Sequence, residues 1–312
     1  MSGAGRWIAG GGALVLAAAV AVAFSAAGRR GPAAAPAAPA APAAPAAPVQ
    51  WVSTSHPLTV GGLARRYLLV RPAARSRTPL PVVVVLHGRI VTPEYEAQRT
   101  GFSAVTGPAI LVYPAGYQNS WNAGACCAGA HDANVDDVGF VTATVHDVLA
   151  TQPDAAPREV FLVGFSNGGK MAFRLVCAGP QLFTAVAVVG AVPVAGCPHP
   201  PAVPFAEVAI HDDPLLTLTP AQPPKAVNGF SQVSIEGEVA ALRAANGCTA
   251  AGPSRATGTL TTTRFADCRT GKPVEFDLYQ GDAHVWPAGD ATTPAAQRVI
   301  WDFFRSITED HR

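Results

Sequence analysis

Short, nearly continuous apolar runs recur along the chain, and longer amphipathic stretches separate them. "LPVVVVLHG" (80–88), "AILVYPA" (109–115), "EVFLVGF" (159–165), "FTAVAVVGA" (183–191) and "PFAEVAIHD" (204–212) have strand length and little polar alternation. Runs of that kind predict strands buried on both faces. "ARRYLLVRP" (64–72) and "KPVEFDLYQGDAH" (272–284) read as further strands, the second being the last. The stretches between them read as helices. "TPEYEAQRTGFSAVT" has Thr92 to cap it and Pro93 at its first position. "DDVGFVTATVHDVLAT" carries its acidic residues at the positive end. A helix follows Gly168, "SQVSIEGEVAALRAANG" closes on Gly247, and "PAAQRVIWDFFRSI" ends the pattern. Buried strands alternating with helices predict an α/β domain, a mostly parallel central sheet with helices on both faces. In such a sheet the ligand sits beyond the carboxyl ends of the strands.

The first 50 residues do not share this pattern. An uncharged stretch runs from Trp7 to Gly28 around an apolar centre at Ala13–Phe24, and Ser25-Ala26-Ala27 offers a cleavage site. Residues 1–28 are therefore expected to be a signal peptide or an N-terminal membrane anchor, with a membrane tether through residues 7–28 in the second case. Residues 29–50 form an Ala/Pro-rich linker, with proline at every third position from Pro36 to Pro48. Such a sequence favours an extended, semi-rigid spacer. The expected catalytic domain is 51–312, and the expected location is extracellular or in the cell envelope.

An oxidising compartment changes the reading of the cysteines. Six of them (Cys126, Cys127, Cys177, Cys197, Cys248, Cys268) suggest up to three disulfides. Cys248 and Cys268 stand apart from the rest and are expected to pair. Cys126 and Cys127 would then pair with Cys177 and Cys197 in either order. No cysteine pair has zinc-site spacing, and no metal or organic cofactor is expected. A formal net charge of +1 with 14% charged residues gives no electrostatic case for nucleic acid as a partner.

The candidate chemistry sits at the strand ends. Gly164-Phe165-Ser166-Asn167-Gly168 fits G-x-S-x-G between a strand and a helix, where the glycines permit a turn tight enough to project the serine. A serine nucleophile needs a base, and the base needs an orienting carboxylate. His284 follows the last strand and Asp213 follows the preceding long one, in the order Ser, Asp, His. Asp212 is the rival acid. The backbone N–H groups of Asn167 and Arg89 are the expected oxyanion donors. Trp121, Phe165 and Trp286 could line the substrate site, or could equally be core aromatics.

The segments "VVVLHG", "SWNAGACC", "VDDVGFV", "VGFSNGGKMAFRLVC", "AVAVVGA", "NGC", "GDAHVWP" and "IWDFF" follow one another in an order that resembles the polyhydroxybutyrate depolymerase/feruloyl esterase family over about residues 65–307. The resemblance implies an α/β-hydrolase fold and a secreted serine esterase acting on polymer-linked or short esters. It places the nucleophile at Ser166, the histidine at His284 and the acid at Asp213. The acid loop "HDDPLLTLTP" is shorter than the family's. "SWNAGACC" and "VDDVGF" are expected to shape the site wall and cap a helix, which gives Asp136 and Asp137 structural roles. The expected function is carboxylic-ester hydrolysis through an acyl-enzyme. A cell-envelope acyltransferase on the same residues and a non-catalytic envelope-binding protein are the two alternatives.

Overall fold

The structure is a computed structural model and describes residues 48–197, 201–227 and 229–309. The expected signal or anchor segment and all but the end of the linker lie outside the described residues. The elements are, in chain order, β1 (Trp51–Val60), β2 (Leu63–Pro72), β3 (Leu80–Leu86), α1 (Pro93–Thr100), β4 (Ile110–Pro114), α2 (Ala128–Asp132), α3 (Asp137–Thr151), β5 (Ala155–Phe165), α4 (Asn167–Ala178), β6 (Ala185–Val189), β7 (Phe205–Ile210), β8 (Ala226–Val227), β9 (Phe230–Ser231), α5 (Ile235–Asn246), β10 (Arg255–Thr257), β11 (Leu260–Phe265), β12 (Val274–Tyr279) and α6 (Ala296–Glu309).

Ten strands form one sheet in the order β1-β2-β4-β3-β5-β6-β7-β12-β11-β10. The run from β4 to β12 is parallel, and antiparallel strands extend it at both edges. The apolar runs explain the buried centre. In β3, Val82, Val84 and Leu86 pack on one face while Val83 and Val85 pack on the other, and β5 divides Val160 and Leu162 from Phe161 and Val163 in the same way. A strand that must satisfy two apolar layers has no position left for a polar side chain. α3, α4 and α5 supply the first layer through Phe140, Met171 and Val239. α6 covers the second with Ile300, Phe303 and Phe304.

The helix ends follow the residues expected to make them. Thr92 Oγ1 accepts the Tyr95 amide, Asp136 Oδ1 accepts the Gly139 amide, and Gly247 closes α5 in the left-handed region at φ 68°. Asp137 is buried beside Asp136. It accepts Arg65 Nη2 at 2.8 Å and the Asn122 amide at 2.7 Å, tying "VDDVGF" to "SWNAGACC".

Cys248 is bonded to Cys268, as expected. The pairing of Cys126 and Cys127 with Cys177 and Cys197 is corrected. Cys177, near the end of α4, is bonded to Cys197 in the loop after β6, with Cα atoms 5.8 Å apart, and Cys126 is bonded to its neighbour Cys127. β6 and β7 are parallel, so the loop between them runs back along α4, and residues 194–197 and 176–178 border the same cavity. Among the described residues no helix is long and apolar enough to cross a membrane.

Candidate active site

β5 ends at Phe165 and α4 begins at Asn167, so Ser166 alone makes the turn. Its backbone is at φ 53°, ψ −116°, a conformation that L-residues rarely adopt. The glycines make this turn feasible. A Cβ on Gly164 would strike the backbone of Gly168 and Gly169, and one on Gly168 would strike the carbonyls of Leu86 and His87 at the end of β3. The Ser166 amide is anchored to the Val189 carbonyl at 2.9 Å, so β6 holds the turn from the other side.

Three side chains from separate strand ends meet here. His284 Nε2 lies 2.8 Å from Ser166 Oγ, and His284 Nδ1 lies 2.7 Å from Asp213 Oδ2. Asp213 is only 2% exposed, and its other oxygen, Oδ1, accepts the Leu215 amide at 2.7 Å. The rival Asp212 is exposed and lies against His211 instead. Asp213 is thus the carboxylate aligned with His284. Lys225 Nζ donates to the Asp213 carbonyl at 2.7 Å, and Gln232 Nε2 donates to the Leu215 carbonyl at 3.1 Å. The segment carrying β8 and β9 therefore braces the short acid loop. No metal-holding group of three or more His, Cys, Asp or Glu occurs among the described residues.

Of the two backbone donors expected from the sequence, Asn167 follows Ser166 directly and Arg89 follows Gly88, where a Cβ would lie 3.6 Å from the Ser166 Cβ. Asn167 is the first residue of α4, so its N–H has no acceptor within the helix. Arg89 follows Gly88, whose carbonyl is held by His87 Nδ1 at 2.7 Å, while His87 Nε2 accepts the Gly116 amide at 2.9 Å. Burial pushes the His87 imidazole down to about 4, which keeps it neutral with its proton on Nδ1. A trans peptide directs its carbonyl and N–H to opposite sides, so His87 sets the orientation of the Arg89 N–H. His87 precedes the serine in the chain, so the order Ser, Asp, His leaves it outside the triad. The "LHG" segment is the signal that could have marked it as an orienting residue.

Trp121 is corrected from a substrate-lining residue to a core residue. It is fully buried, donates its indole N–H to the His87 carbonyl at 2.9 Å and stacks on Phe140. Its backbone pairs with the Asn167 side chain: Oδ1 accepts the Trp121 amide at 2.8 Å and Nδ2 donates to the Trp121 carbonyl at 3.1 Å. Asn167 therefore locks the nucleophile turn to "SWNAGACC", a role its side chain had not been assigned. Phe165 and Trp286 are also buried. Phe165 stacks on the His284 ring with centroids 5.3 Å apart, Trp286 meets Phe165 edge-on, and the Arg99 guanidinium lies 4.2 Å from the Phe165 ring centroid. Phe165 and Trp286 are thus corrected from substrate-lining to packing residues: Phe165 supports the His284 ring and Trp286 supports Phe165.

A serine raised on a strand–turn–helix, with histidine and aspartate at later strand ends, is the site architecture of the α/β-hydrolases. The comparisons with known proteins agree with that class. The chain belongs to the esterase family: the family model described as "Putative esterase" matches residues 64–217, and curated esterases are 30% identical over most of their length. "Putative esterase NocK" from Nocardia uniformis subsp. tsuyamanensis is 30% identical over 274 residues, covering 80% of this chain and 77% of the relative. "Feruloyl esterase C" from Emericella nidulans is 30% identical over 229 residues, covering 70% of this chain and 72% of the relative. Among solved structures, "Acetyl xylan esterase from Aspergillus awamori" aligns with a TM-score of 0.54 over 81% of this chain and 99% of that one, at 14% identity, which is a likeness of fold. The protein is a carboxylic-ester hydrolase.

Proposed function

We propose that this chain is an exported serine esterase that cleaves aryl-acyl or polymer-linked carboxylic esters through an acyl-enzyme on Ser166. The observation that carries the reading is the unbroken hydrogen-bond path Asp213 Oδ2–His284 Nδ1, His284 Nε2–Ser166 Oγ. His284 takes the hydroxyl proton as Ser166 attacks the ester carbonyl, and Asp213 holds the imidazole with its remaining proton on Nδ1. The Arg89 and Asn167 N–H groups receive the oxyanion, the alkoxide leaves with the proton from His284, and water, deprotonated by the same imidazole, releases the acid. Three disulfides support export, since such bonds persist in oxidising compartments. The relatives named feruloyl esterase C support aryl-acyl esters as the first substrates to try.

The test is a panel of p-nitrophenyl, feruloyl, acetyl-sugar and 3-hydroxybutyrate esters, read with wild type and His284→Ala. Feruloyl or polymer-derived esters are expected to be turned over, and His284→Ala is expected to lose that turnover with its melting curve retained. Equal rates for the two proteins would overturn the reading.

A further inference from the structure

One helical turn beyond Ser166, α4 faces a second space. A cavity of about 640 Å³ lies between α4 and α5, against the loop that follows β6. That size suits a small organic ligand. Phe173, Val176, Val194, Phe205 and Leu242 are among its apolar lining, and none of Ser166, His284 or Asp213 borders it.

Lys170 breaks the apolar lining. It is 7% exposed, its ammonium has no hydrogen bond or ion pair among the described residues, and the acids acting on it, Asp213 and Glu207, are not within ion-pair distance. An ammonium buried without an acceptor is costly, and a ligand that supplies one is favoured there. Glu207 on β7 offers no compensation: it is 0% exposed, and both of its carboxylate oxygens lack a hydrogen-bond partner. Burial holds the Glu207 carboxyl well above the usual range, lifts Glu238, which also lines the cavity, to about 7, and lowers Lys170 to about 8. Burial thus favours the protonated form of Glu207, and Lys170 keeps most of its charge at neutral pH. Arg174 and Glu238 line the same cavity, so its charged end holds two cationic side chains against one half-titrated acid.

We propose that this cavity binds an apolar monocarboxylate, with the carboxylate on Lys170 Nζ and the hydrocarbon or aryl body along Phe173, Phe205 and Leu242. A charged acceptor removes the uncompensated ammonium, and the body replaces water on an apolar wall. Acids of this class are what ester hydrolysis releases; that link rests on the proposed reaction, while the binding itself does not.

Calorimetric titration of the Ser166→Ala protein with sodium octanoate and with octan-1-ol tests the assignment apart from catalysis. One equivalent of octanoate is expected to bind, with octan-1-ol weaker by about tenfold or more. Lys170→Met is expected to lose octanoate affinity by a similar factor. Ala241→Trp, on the exposed lip of the cavity, is expected to block binding with Lys170 intact, and it decides the matter if Lys170→Met does not fold. No octanoate binding, equal binding of acid and alcohol, or undiminished binding by Ala241→Trp would each overturn the proposal. Ester turnover by the wild type is read separately, so failure here is distinct from failure of the esterase reading.

Discussion

Asn167→Ala tests how far the nucleophile turn depends on its packing against "SWNAGACC". The substitution leaves the Asn167 backbone N–H in place and removes two hydrogen bonds, at 2.8 and 3.1 Å, to the buried backbone of Trp121. Each orphaned peptide group costs about 1–3 kcal/mol, and a water entering the vacated space returns part of that, so roughly 2–4 kcal/mol of stability should be lost. For a domain of this size each kcal/mol moves the melting temperature by about 2–4 °C, giving an expected fall of about 4–16 °C. The assay is thermal unfolding with disulfides intact, paired with kcat and KM on p-nitrophenyl acetate. kcat is expected to fall more than KM rises, because loosening the turn misplaces Ser166 against His284 before it alters ester binding. A melting temperature within about 2 °C of wild type would refute the claim that Asn167 locks the turn.

Other expected outcomes follow from the same geometry. Asp213→Asn should lower kcat by about 10³–10⁴, because it no longer favours the imidazole tautomer with the proton on Nδ1; Asp212→Asn should leave kcat nearly unchanged, and the reverse ranking in steady-state assays would reassign the acid. His87→Ala should lower kcat through the Gly88–Arg89 peptide without adding a titration near neutral pH, since His87 is neutral above about 4. A pH–rate profile that shifts near 6–7 would show that His87 itself moves protons. At Asp154, burial pushes the carboxyl up, but hydrogen bonds from Arg71, the Ser76 amide and Arg75 outweigh it and hold the group at about 2. A depressed carboxylate stabilises the fold above about pH 4 and loses that contribution as pH falls toward 2, so Asp154→Asn should flatten the acid limb of the melting-temperature curve. Cys177–Cys197 closes a separation of 20 residues, so replacing both with serine should cost about 3 kcal/mol in urea unfolding.

The parallel centre was legible in the sequence because β3 to β6 bury apolar side chains on both faces and β7 departs from this only at Glu207, and the turn was legible because Gly164 and Gly168 leave room for nothing else. The edges were not. β1 is mostly exposed, and β10 exposes all three of its residues, so neither carries the apolar run that marked the others. Asp213 and His284 could be placed from strand ends, but the brace from Lys225 could not, since it lies twelve positions beyond Asp213 along irregular chain. Trp121, Phe165 and Trp286 show a different limit. An aromatic near a motif reads alike whether it faces a ligand or supports a histidine, and only burial separates the two. Cys248–Cys268 was legible, but the pairing of the other four cysteines was not, because spacing along the chain does not report which Cα atoms the fold brings together.

The central claim is that Ser166 is the residue acylated during turnover. Intact-protein mass spectrometry after treatment with a fluorophosphonate measures this directly, with peptide mapping to place the adduct. A single adduct on the peptide containing Ser166 is expected in wild type, and none in Ser166→Ala. An adduct on another residue, or equal labelling of both proteins, would contradict it.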